Sequence, residues 1–182
     1  MEAVTRPAER AGANLLTSAA AGDEIAFRQL IAAHHEDMRR VCLAMFGDAS
    51  VADEATQAAW AIAWKKLGKV RGPEQLRPWL VSIAVIEAKE VLRKRRRRAE
   101  IEITVDPSDR PGGIDPATGI AAVDLHAALD RLDPDDAALL AMRYVAGFDS
   151  TELGLATGKS PAAIRQRLKR LLDRLREDLS DG

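Results

Sequence analysis

Residues 104–119 read Thr-Val-Asp-Pro-Ser-Asp-Arg-Pro-Gly-Gly-Ile-Asp-Pro-Ala-Thr-Gly, three prolines and three glycines in sixteen positions. Proline blocks helix continuation and glycine adds backbone entropy, so no regular element is expected to cross this stretch. It divides a 182-residue chain into two halves, each small enough to be marginal as an isolated fold. Apolar residues make up 47% and aromatics only 4%, so core volume must come from Leu, Ala, Ile and Val. Leucine and alanine favour helix, and β-branched runs are short, which points to an all-α chain. The expected plan is a flexible N-terminal tail over 1–21, a helical domain over 22–98, an acidic linker over 99–120 and a second helical domain over 121–182.

The halves carry readable helix signals. Phe27, Leu30, Ile31, Met38, Val41, Cys42 and Met45 recur at helical spacing, with Gly47 as a stop. A second helix is expected from about Ser50 to Leu67, with Trp60, Ala63, Trp64 and Leu67 on one stripe. A third starts near Pro78 and carries Leu80, Ile83, Ala84, Ala88 and Val91. Asp133-Pro134-Asp135-Asp136 is a helix start, because aspartate caps, proline suits the first turn, and acids complement the positive helix end. A short helix to Thr157, a turn at Gly158 and a helix capped by Ser160 follow. On that last helix Ile164, Leu168, Leu171, Leu172, Leu175 and Leu179 fall within about a 100° arc. Its far side presents Ala162, Gln166 and Lys169, flanked by Arg165 and Arg170. A helix, a glycine turn and a second helix with a small, basic outer face form a helix-turn-helix. An ordinary antiparallel helix pair would give the same apolar pattern.

Net charge is 27 basic minus 28 acidic residues, or −1, but the signs are segregated. Residues 89–98 and 159–176 together hold 14 of the 27 basic residues, while 99–136 hold ten acids and two arginines. Two basic blocks around an acidic spacer suit two contacts on one polyanion, although either block alone can be a solvated helix face. Cys42 is the single cysteine, which excludes an intrachain disulfide and a thiolate zinc cluster. It lies on an apolar stripe, so an inert thiol is expected. His34, His35 and His126 are scattered, and no phosphate loop or activated serine is present, so an enzyme is not expected and no cofactor is called for. His34 and His35 are expected at a helix surface. No basic-then-apolar leader is read at the start, and no apolar run reaches the ~20 residues of a membrane span, so a cytoplasmic protein without membrane insertion is expected.

Four segments in order resemble the ECF (extracytoplasmic function) subfamily of bacterial sigma-70 factors. Residues Asp53-Glu54-Ala55-Thr56-Gln57-Ala58-Ala59-Trp60-Ala61-Ile62-Ala63-Trp64 resemble the family's "E-D-x-x-Q-E-x-F-x-x-A-W" docking helix. Arg77-Pro78-Trp79-Leu80-Val81-Ser82-Ile83-Ala84 resembles "R-x-W-L-x-x-I-A". Leu132-Asp133-Pro134 with 140–148 resembles "L-P-x…L-x-x-R-Y-x-x-G-L". Residues 159–170 resemble "x-S-x-G-T-V-x-S-R-L-x-R", the minus-thirty-five helix. The resemblance implies a sigma region 2-like and a sigma region 4-like domain that bind core RNA polymerase, direct promoter recognition and start transcription.

It further implies contacts residue by residue. Asp53, Glu54, Gln57 and Trp60 would meet the clamp helices of the polymerase largest subunit; the two acids also suit a helix first turn. The second domain would meet the polymerase flap. Trp79, Ser82, Ile86, Lys89, Arg93, Lys94, Arg95, Arg96 and Arg97 would face the minus-ten DNA, Trp79 either stacking on a base or serving the core. Ala162, Ala163, Arg165, Gln166, Arg167, Lys169 and Arg170 would face the minus-thirty-five DNA. The acidic linker would thread the polymerase cleft or act as a plain tether. An anti-sigma factor, if the chain has one, would be a further partner. Three positions depart from the family: Ala58 replaces its glutamate, Ala162-Ala163 its Gly-Thr, and Ile86 its asparagine near a captured minus-ten base. Isoleucine has no donor or acceptor for a base edge, so altered minus-ten preference is expected there. A two-domain helix-turn-helix regulator without polymerase contact is the rival reading, opposed by the docking helix and by 77–84.

Overall fold

A computed structural model describes residues 7–102 and 132–180. The expected tail over 1–6, most of the expected linker and the start of the expected second domain fall outside the described residues. Among those described, all regular structure is helical. Each helix start has a local cause. Asp23 accepts from the backbone N–H of Ile25 and Ala26 at 2.8 and 3.1 Å and starts α2, Glu24–Phe46. Gly47, at φ 62°, closes it by donating its N–H to Leu43 O. One residue later Asp48 accepts from Val51 N and starts α3, Ala49–Lys66, which a 3₁₀ turn over Leu67–Lys69 follows.

α3 is alanine-rich because it is the most enclosed helix of the first half. Val51, Ala52, Ala55, Thr56, Ala59, Trp60 and Ala63 are all buried, and small side chains let α2 and α4 approach closely. α4 runs from Pro73 to Glu102. Its 30 residues at 1.5 Å rise span about 45 Å. Pro78 lies inside it, fully buried, where only the bond to the Glu74 carbonyl is forgone. Leu76, Leu80, Val81, Ala84, Ala88 and Val91 face the core.

Two expectations change here. Residues 7–20, expected as part of a loose tail, form α1, Pro7–Ala20, which packs on α2 and buries Leu16 and Ala19. Its docking surface is made by α2, α4 and the 3₁₀ turn together, a tertiary arrangement that no local spacing signals. α4 also begins five residues before Pro78 and continues four residues beyond 98, because its arginine run is itself good helix-forming sequence.

The second half holds α5, Pro134–Tyr144, α6, Ser150–Thr157, and α7, Pro161–Ser180. Asp133 caps α5 through the Asp135 N–H, and Pro134 occupies its first turn. Phe148, fully buried in the α5–α6 turn, with Leu139, Leu153 and Ile164, centres this half. The two halves are in contact: α6 packs on α4, and α5 on α2.

Candidate nucleic-acid interface

The helix-turn-helix is built by backbone chemistry. Asp149 accepts from the Thr151 and Glu152 N–H groups while Glu152 accepts from the Asp149 N–H, a reciprocal capping box that fixes α6. Gly158, at φ 71°, ends α6 in the left-handed region. Ser160 then caps α7 through the Ala163 N–H at 3.2 Å. Ile164, Leu168 and Leu171 turn inward. Ala162, Ala163, Arg165, Gln166, Lys169 and Arg170 are exposed on the opposite face. Arg167 differs from them. It is half-buried, and its Nε donates to Asp136 Oδ1 of α5 at 2.6 Å, so its first task is to tie α7 to α5.

α4 carries the other basic surface. Arg96, Arg97 and Arg98 are exposed and make no ion pair among the described residues. Arg93 donates twice to Glu90, at 2.8 and 2.7 Å, and Lys94 lies 4.0 Å from the same carboxylate. Arg95 turns back instead, bonding Asp48 at 3.0 Å, Ser50 at 2.9 Å and Glu54 at 3.2 Å. One turn earlier Lys89 pairs with Asp135 of α5, and that ammonium holds the Asp135 carboxyl below its usual range. Ile86 is 61% exposed. Ser82 donates to the Trp79 carbonyl at 2.7 Å, and Trp79 itself is half-buried against the core.

Asp53, Glu54 and Gln57 are exposed on consecutive turns of α3. Asp53 accepts from Arg39 Nε at 2.7 Å. Trp60 does not share that surface. It is 7% exposed, meets Phe27 edge-on at 5.6 Å, and donates its indole N–H to His35 Nδ1 at 3.3 Å. It belongs to the core beneath the face. His35 and His34 are likewise half-buried rather than on the surface, because α2 is covered on more than one side. Burial first, and then the Arg77 charge, lower the His34 pKa against the opposing pull of Asp37.

Arg77 lies outside the contact residues that the resemblance implies, yet it bridges the two halves. Its Nε donates to Asp37 Oδ2 at 2.7 Å, one terminal nitrogen lies 3.3 Å from Glu152 Oε1, and the other donates to the Ala146 carbonyl. The guanidinium carbon sits 4.4 Å above the Phe148 ring centroid. No local spacing signals this, since the partners lie 40 to 75 residues away. Among the described residues no group of three His, Cys, Asp or Glu side chains could hold a metal ion, and no helix is long and apolar enough to cross a membrane.

Two family models match the chain: Sigma-70 region 2 over residues 30–98 and Sigma-70 region 4 over residues 122–175. The RNA polymerase sigma factor CarQ of Myxococcus xanthus is 30% identical over 164 residues, covering 88% of this chain and 92% of CarQ. The ECF RNA polymerase sigma factor SigM of Mycobacterium tuberculosis is 27% identical, covering 92% of this chain and 84% of SigM. The chain belongs to the ECF sigma factors. Against the RNA polymerase sigma factor RfaY of Xanthomonas campestris it is 28% identical over 90% of its own length, but it spans only 43% of RfaY. The fold of this sigma factor is that of CnrH, solved in complex with the cytosolic domain of CnrY. The TM-score is 0.70 at 22% identity, with 94% of this chain and 99% of that one covered. The sigma factor RpoE of Bartonella quintana, solved with the anti-sigma factor NepR, superposes with a TM-score of 0.65 at 21% identity, over 85% of this chain and 96% of that one. The region 2 match falls on α2–α4, and the region 4 match includes α5–α7.

Proposed function

We propose that this sigma factor divides promoter work between three surfaces. The exposed edge of α3, with Asp53, Glu54 and Gln57, docks on the clamp helices of core RNA polymerase, and the second domain meets the flap. The basic end of α4 holds minus-ten DNA, with Arg96 and Arg97 on phosphates and Ile86 beside a base. α7 reads the minus-thirty-five duplex through Arg165 and Gln166, which suit guanine and adenine edges. The exposed, outward basic face of α7 behind a capped helix-turn-helix carries this reading. Ala162 and Ala163 add to it, since small side chains let the helix end approach the groove.

The role is one of binding and positioning, with no catalytic step of its own, in the cytoplasm where the polymerase works. An anti-sigma factor is a partner of the kind that RpoE has. The decisive experiment reverses the charge of Asp53 and Glu54 and changes Gln57→Ala. Binding to core polymerase is expected to weaken with the circular dichroism unchanged. Unaltered affinity in a folded variant would overturn the assignment of α3.

A further inference from the structure

α4 carries both a core stripe and an arginine run, and the stripe does not stop where the arginines begin. At ~100° per residue Ala84, Ala88, Val91 and Arg95 fall within about 60° of one another. The first three are buried, so Arg95 starts out in the inward direction. It is half-buried, while Arg93, Lys94, Arg96, Arg97 and Arg98 around it are exposed. Inward from this end of α4 lies the start of α3, the helix against which α4 packs most extensively.

The guanidinium is spread over three acceptors. One terminal nitrogen donates to Asp48 Oδ2 at 3.0 Å, and the other donates to Ser50 Oγ at 2.9 Å and to Glu54 Oε2 at 3.2 Å. Asp48 uses its second oxygen, Oδ1, to cap α3 through the Val51 N–H. Arg95 therefore holds the capping residue, the first turn and one of the exposed acids of the helix proposed to dock on polymerase. Its planar fork of donors can serve these acceptors at once, in a geometry that a lysine ammonium does not reproduce. Glu54 is gripped through one oxygen and, among the described residues, makes no hydrogen bond through Oε1. Fixing an exposed carboxylate before its partner arrives removes part of the ordering cost of binding. A phosphate would have to take this guanidinium from two carboxylates and a hydroxyl, whereas Arg96 and Arg97 are exposed without an ion pair among the described residues.

We propose that Arg95 is a positioning residue of the polymerase-docking face: it fixes Glu54 and the start of α3 for core enzyme and makes no contact with minus-ten DNA. The arginine run is thus split by direction, with Arg95 turned to α3 and its exposed neighbours left for phosphates. The proposal rests on the docking reading of α3 above and adds to it a residue from a different helix.

The test uses the full chain with core RNA polymerase. Arg95→Gln should weaken binding to core enzyme about fivefold, a coupling of the size found between residues in contact. In a Glu54→Ala background the same substitution should change the affinity by less than about twofold, because the carboxylate it served is gone. A loss of equal size in both backgrounds would make Arg95 a plain brace between helices and overturns the proposal, as does an unchanged or higher core affinity for Arg95→Gln alone. DNA is scored with holoenzyme assembled at saturating sigma factor, on a promoter fragment whose minus-ten strand is unpaired. Arg95→Gln should leave the salt dependence of affinity unchanged, whereas Arg97→Gln should lower its slope by about 0.7, the share of one single-strand phosphate. An equal fall in slope for both variants returns Arg95 to the DNA and overturns the proposal. Should Arg95→Gln unfold by circular dichroism, Arg95→Lys decides. Lysine keeps a charge for a phosphate but loses the fork, so core affinity should still fall at unchanged salt slope, and core affinity equal to wild type overturns the proposal. Glu54→Ala alone separates the two levels. If that folded variant binds core enzyme as wild type does, the docking reading of α3 falls and the role of Arg95 with it; a loss there that Arg95→Gln does not share overturns the role of Arg95 only.

Discussion

Thr56 is fully buried in α3, and its hydroxyl has no hydrogen-bond partner. An orphaned buried hydroxyl costs about 1–3 kcal/mol, and valine has nearly the same shape without it. Thr56→Val is therefore expected to stabilise the fold by about 1 kcal/mol, read as a higher midpoint in urea at unchanged slope; a lower midpoint would mean that the hydroxyl is satisfied. At the same scale, reading and holding DNA should separate. Arg165→Ala or Gln166→Ala should cost about 1–3 kcal/mol on a cognate minus-thirty-five site and relax preference there. Arg97→Ala should weaken binding evenly across sequences and lower the salt slope. Competition binding over a salt series distinguishes them, and identical behaviour of the two classes would contradict the division. Ile86→Asn restores the side chain usual in the family at an exposed position, so it should shift the minus-ten profile in a promoter-library selection. Cys42 is not a candidate for redox control: burial pushes its thiol up to about 12, away from the reactive thiolate.

The α6–turn–α7 element depends on a close approach that only glycine permits. A Cβ at Gly154 would lie 2.7 Å from the Lys159 carbonyl oxygen, a backbone atom that cannot rotate away. Gly154→Ala should therefore cost about 1–3 kcal/mol by overpacking. It should also reduce minus-thirty-five binding more than core-polymerase binding, because the distortion falls on the helix proposed to read that duplex. Equal losses in the two assays would place the damage elsewhere. This element was the most legible in the sequence, since its information is local. Ser160 as a cap, Gly158 as the turn and the leucine arc of α7 all act within a few residues of themselves. α1 was not legible, because what orders it is docking on α2, α4 and the 3₁₀ turn, which no local spacing signals. The extra length of α4 was hidden for a different reason. Pro78 looks like a start, but a proline in the second turn costs only one intrahelical bond and can lie within the helix.

At the scale of the whole molecule, the contact between the halves had no sequence signature. Arg77 stood in a recognisable motif, yet its partners Asp37 and Glu152 are set by tertiary packing alone. The same cluster gives the molecule an acid sensitivity with a definite sign. His34 lies near Asp37 and Arg77, and its pKa is held below the ordinary 6.5, by burial first and then by the Arg77 charge. The folded chain therefore resists a proton that the unfolded chain accepts. The neutral-His34 stability is fully present above pH 6.5 and is lost as pH falls from there towards the lower folded value. Asp37 acts further down. Partial burial raises it, but hydrogen bonds and charge from Arg77 and Arg40 outweigh burial and leave it below its ordinary 3.8. Its contribution is intact above that value and is lost as pH falls through its folded pKa. Melting temperature should thus be level near pH 7–8, fall in a first step below 6.5, and fall again in a second below 3.8. His34→Gln should remove the first step and leave the second, whereas Asp37→Asn should weaken the second and lower the stability at neutral pH. Melting curves of the three proteins across that range decide the matter. A first step that survives in His34→Gln would assign that step to another group and leave His34 without a part in it.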